Sequence, residues 1–188
     1  MNGYAVGALA LWLVGSVASL WLWLPTGLGP GAAVRDTRRV RILVLAGLVV
    51  LTGAGAALAV AAGPLDGAWR WLAGALGVTA TVLGGGAVTT CILALAGSAT
   101  PVTARVQRDV LRGGTWIGAL ERLALLGTLL AGWPEGLAVI VAVKGLARYP
   151  ELRTASSVGT GANERFIIGT FASLGWATAC AWILALLL

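Results

Sequence analysis

Positive charge in this chain comes in three short bursts, and two long apolar stretches separate each burst from the next. Arg35, Arg38, Arg39 and Arg41 form the first burst, Arg105, Arg108 and Arg112 the second, and Arg148, Arg153 and Arg165 the third. Together they hold ten of the 13 Lys and Arg residues. Arginine is costly to carry across a bilayer and is retained in cytoplasmic loops, so basic segments that alternate with nearly uncharged ones predict a multi-pass chain with those segments inside. With 59% hydrophobic and 11% charged residues and a mean hydropathy of +0.92, the chain falls well short of the roughly 25% charged content of a soluble domain. The expected architecture is one integral membrane domain, residues 1–188, folded as an all-α transmembrane helical bundle.

A helix that crosses the hydrocarbon needs about 20 apolar residues. Residues 4–24, 41–63, 69–96 and 164–188 meet that length. Gly63-Pro64-Leu65-Asp66-Gly67 reads as a tight turn between the second and third spans. The segment from Pro25 to Arg39 reads as an irregular cytoplasmic loop. From Ser98 to Gly114, Val102, Val106, Val110 and Leu111 share a helical face; a short amphipathic helix on the inner leaflet or a plain connecting loop both fit.

The stretch from Thr115 to Tyr149 is interrupted by Gly132-Trp133-Pro134-Glu135-Gly136. As one helix it would be about 50 Å long, too long for the membrane. As a hairpin it gives two shorter spans, 115–131 and 134–149, and returns the third burst to the side of the other two. Six spans with both termini outside follow, in a bacterial cytoplasmic membrane to judge from the Ala, Gly, Val and Arg bias of a GC-rich genome. Trp21, Trp23, Trp69, Trp71, Trp116 and Trp133 fall at expected membrane boundaries, where indole rings concentrate. The first run has no basic segment before it and no small-residue cleavage site after it, so it is expected to be retained as a span.

The net charge of +6 does not point to nucleic acid, because the basic residues are spread over inter-helix segments; contact with anionic lipid headgroups at the cytoplasmic face is the expected use. Histidine is absent, and Cys91 and Cys180 lie singly within apolar runs. Haem ligation, most zinc chemistry and a His-based triad are thereby excluded, and no cofactor or metal is expected.

Glu121 lies as many residues before the hairpin turn as Lys144 lies after it, so antiparallel helices put carboxylate and ammonium at similar depth. Arg122 adjoins the first, Arg148 follows the second by one turn, and Glu164 with Arg165 opens the last span. These six residues form a polar vestibule that receives an ion, an anionic solute or a lipid headgroup, or else an ion-pair network that orients three helices. On the third span, Thr79, Thr81, Gly84, Gly85, Gly86, Thr89, Thr90 and Cys91 make a polar, glycine-rich middle, which offers either close helix packing or an unwound pathway. In the last span Gly169, Ser173, Ala177, Ala181 and Ala185 recur every four residues as a packing seam.

Trp116-Ile117-Gly118-Ala119-Leu120-Glu121-Arg122-Leu123, then Ala142-Val143-Lys144-Gly145-Leu146-Ala147-Arg148-Tyr149, then Glu164-Arg165-Phe166-Ile167-Ile168-Gly169-Thr170-Phe171-Ala172-Ser173 resemble, in the same order, motifs of an uncharacterised family of bacterial polytopic membrane proteins. The likeness covers about the last 75 residues. It implies a shared membrane module that carries the charged hairpin, and no reaction or ligand. The function expected from all these features is binding or translocation of a small solute, ion or anionic lipid headgroup, by a homo-oligomer or a subunit of a membrane complex. An accessory or scaffold subunit is the alternative. An intramembrane lipid-modifying enzyme is a further one, with only Glu121 and Glu164 as candidate bases.

Overall fold

The computed structural model describes residues 3–23, 38–96, 101–158 and 162–188, with side chains described outside 21–23, 101–113, 151–158 and 162. Most of the 25–39 segment, the side chains of Trp21, Trp23 and Arg153, and the amphipathic face read between Ser98 and Gly114 lie outside those described residues. Apart from the turns at 63–67 and 131–135 and the last residue, the described chain is helical and holds six helices: α1 (Gly3–Trp23), α2 (Arg38–Ala62), α3 (Ala68–Ala96), α4 (Pro101–Leu130), α5 (Gly136–Val158) and α6 (Ala162–Leu187). Four are long and apolar enough to cross a membrane: α1 over Gly3–Leu20, α2, α3, and α6 over Asn163–Leu187. α4 and α5 are not in that set among the described residues.

Two helices run further than their apolar content suggests. The segment from Pro101 to Gly114 forms neither a separate surface helix nor a loop; it is the first half of α4 and continues straight into the apolar half. α5 likewise continues past Tyr149 and through Pro150 to Val158, although proline contributes no N–H to the helical ladder. Charge marks where hydrocarbon ends, not where a backbone stops being helical.

The α4–α5 hairpin turns where the sequence places it, and its geometry shows why. Gly132 adopts φ 73°, a left-handed conformation that favours glycine. Trp133 N–H donates to the Thr128 carbonyl at 2.9 Å and Gly132 N–H to the Leu129 carbonyl at 3.1 Å, the pair of bonds that closes a Schellman cap. Gly136 then passes so close to Thr128 that a Cβ would lie 2.6 Å from its methyl group. That contact fixes the register of the two helices.

α6 is the central element and packs against α2, α3, α4 and α5. The main apolar core joins Ala5 and Leu9 of α1, Ala59 of α2, Ala73 of α3, Leu126 of α4 and Leu184 and Leu187 of α6. The start of α1, the α2–α3 turn, the end of α4 and the end of α6 therefore gather at one end of the bundle, so both described chain ends lie there. A hydrogen bond of 2.8 Å from Leu65 N–H to the Leu187 carbonyl ties that end together. Leu43, Val49 and Val50 on α2 and Leu13, Val14 and Val17 on α1 point outward, a surface suited to acyl chains.

Candidate functional site

Midway along α3 the helix widens. Ala80–Gly84 forms a π-helical turn between two α-helical halves, the kind of insertion that is rare in helices and concentrates at functional sites. Trp176 of α6 enters here, and its indole Nε1–H donates to the Ala80 carbonyl at 3.1 Å. Gly84 makes room for the ring, since a Cβ there would lie 2.6 Å from Trp176 Cζ2. Gly85 makes room for Arg122, since a Cβ there would lie 2.4 Å from Arg122 Cδ. The glycine run is thus a slot that receives one indole and one guanidinium stem, and α3 stays helical through it.

Arg122 is 4% exposed. Its Nη1 donates to Ser173 Oγ at 3.1 Å, and its Nε has no hydrogen-bond partner among the described residues. Glu121, the preceding residue on α4, projects the other way. It accepts a hydrogen bond and ion pair from Lys144 Nζ of α5, with both side chains largely buried. Carboxylate and ammonium neutralise each other across the hairpin, so the three charges sum to one unit of positive charge, and that unit resides on buried Arg122.

The other sequence-selected residues divide by depth. Arg148 is exposed one turn beyond Lys144, Glu164 is exposed, and Arg165 is half-buried in the first turn of α6. Among the described residues no hydrogen bond or ion pair joins Glu164 or Arg165 to the Glu121–Lys144 pair. The α3 threonines spend their hydroxyl hydrogens on their own helix: Thr79 donates to the Ala75 carbonyl, Thr81 to Gly77, Thr89 to Gly85 and Thr90 to Gly86, at 2.7 to 3.0 Å. Such back-bonding satisfies a hydroxyl within a membrane helix. Thr79 and Thr90 are exposed and Thr81 is buried. Cys91 and Cys180 are both buried and free.

Three residues here take roles that the sequence reading did not give them. Ser173 belongs to the small-residue seam, which is buried at Ser173, Ala177 and Ala181 and exposed at Ala185, yet it also receives Arg122. Thr170, one turn earlier on the same helix, is buried and its Oγ1 has no partner among the described residues. Trp176 satisfies the Ala80 carbonyl. The available signal was the opposition of a glycine pair to large polar side chains, which spacing within one helix cannot reveal. No family model matches this chain, and neither the curated proteins nor the solved structures contain a match.

Proposed function

We propose that this chain is a six-span membrane protein with both termini outside, which binds or translocates a small anionic solute through a vestibule on its cytoplasmic side. Arg148, Glu164 and Arg165 stand at the mouth, while Glu121, Lys144 and Arg122 lie deeper. The observation that carries this reading is the burial of Arg122 beside a carboxylate already neutralised by Lys144. An uncompensated intramembrane charge is costly, and such groups recur where a substrate or ion of opposite sign is handled. The arginine bursts orient the mouth toward the cytoplasm.

Reconstitution of the purified protein in liposomes tests this reading, with flux of halide, phosphate and a small carboxylate measured against empty vesicles. Flux of at least one anion, lost in Lys144→Ala protein that remains folded, is the expected result. Absence of flux for all three, with no anion retained through purification, would overturn it.

A further inference from the structure

Three buried hydrogen-bond donors, one on α4 and two on α6, have no acceptor among the described residues. Arg122 Nε and Thr170 Oγ1 are buried without partners among the described residues. Ser173 Oγ accepts from Arg122 Nη1 and donates no hydrogen bond among the described residues. Buried donors are ordinarily satisfied, and these three accompany a buried guanidinium that no carboxylate hydrogen-bonds among the described residues. Neutral water could accept from them and would leave the charge standing; an anion answers both deficits.

Size and depth narrow the class. Arg122 precedes the end of α4 by eight residues, about 12 Å along the axis, well inside a hydrocarbon core of about 30 Å. A lipid phosphate stays at the interface and does not reach a side chain that is 4% exposed. The slot is narrow as well, because the Arg122 stem already occupies the space that a side chain at position 85 would need. We infer that Arg122, Ser173 and Thr170 form a binding site for a single halide-sized monovalent anion, with the guanidinium supplying the charge and the two hydroxyls completing the donor set. The inference rests on the anion-handling reading above and deepens it: the Glu121–Lys144 pair positions Arg122 by removing the nearest competing carboxylate, and does not itself contact the ion.

Chlorine NMR line broadening on the full-length protein in detergent tests the site, with bromide as competitor. The wild type is expected to broaden the chloride signal in a bromide-displaceable manner. Arg122→Gln should abolish the effect, and Thr170→Val should weaken apparent binding by about tenfold, the value of one lost hydrogen bond to a charged group. Thr170→Val is isosteric and keeps the test decisive if Arg122→Gln does not fold. Equal displaceable broadening in wild type and both variants, or no displaceable chloride at all, overturns the site and leaves water as the occupant. The two readings separate cleanly. Liposome flux that Lys144→Ala abolishes and Arg122→Gln leaves intact keeps the vestibule and overturns this site, whereas displaceable chloride that Arg122→Gln removes, without flux in liposomes, supports the site and overturns transport.

Discussion

Trp176 and Ala80 lie 96 positions apart, and the indole N–H of the first donates to the main-chain carbonyl of the second at 3.1 Å. Ala80 opens the π-helical turn of α3. An inserted residue disturbs the local ladder, and a side chain from a neighbouring helix compensates. Trp176→Phe keeps the ring in the Gly84 slot and removes the donor. Thermal unfolding in detergent should show a loss of about 1 kcal/mol, as for interhelical hydrogen bonds in membranes; an unchanged midpoint would show that the carbonyl finds another donor.

The slot itself predicts an asymmetry among glycines. Gly85→Ala would bring a methyl group to 2.4 Å from Arg122 Cδ, whereas nothing lies within 4 Å of a Cβ at Gly127. Gly85→Ala should destabilise by about 1 to 3 kcal/mol through overpacking. Gly127→Ala, in the middle of α4, should stabilise by about 0.5 to 1 kcal/mol through reduced backbone entropy. Equal effects of the two substitutions would contradict the packing described.

Breaking the hairpin ion pair from either side strands a charge. Glu121→Gln or Lys144→Gln alone should cost about 3 kcal/mol, and the double substitution should recover most of that loss. A double-mutant cycle read by denaturation measures the coupling; additive losses would mean that the two side chains act separately.

At the hairpin turn, Gly132 has φ 73°, where an L side chain is strained. Gly132→Ala should therefore destabilise by about 1 kcal/mol, and amide exchange should rise first at residues 131–133, whose N–H groups donate the cap bonds.

Topology is accessible to thiol labelling because both native cysteines are buried. In oriented membranes Glu135→Cys should react with an impermeant reagent from outside, and Arg39→Cys only after the inner face is opened. The reverse pattern would invert the orientation proposed above.

The helices and the hairpin were legible because the signals are local or symmetric: apolar length sets α1, α2, α3 and α6, and Gly132-Trp133-Pro134 sets the reversal. The meeting of Glu121 and Lys144 was legible for the same reason, since their equal distances from the turn fix their relative depth. The extent of α4 was not, because Arg105, Arg108 and Arg112 are as compatible with a helix as with a loop. The surroundings of Arg122 were hidden for a deeper reason. Its neighbours Gly85, Ser173 and Trp176 come from two other helices, and nothing in their spacing encodes which faces meet. The π-helical turn was hidden in the same way, since the tryptophan that bonds to its first carbonyl is remote in sequence.

The bond from Leu65 N–H to the Leu187 carbonyl acts as a clasp between the α2–α3 turn and the last turn of α6. Anything fused after Leu188 would pull on that clasp first, while Ser173 sits 14 residues back, roughly 20 Å along α6. A C-terminal affinity handle should accordingly loosen the rim of the bundle before it disturbs the buried arginine, whereas an insertion at the α2–α3 turn would unfasten the same clasp from its other half.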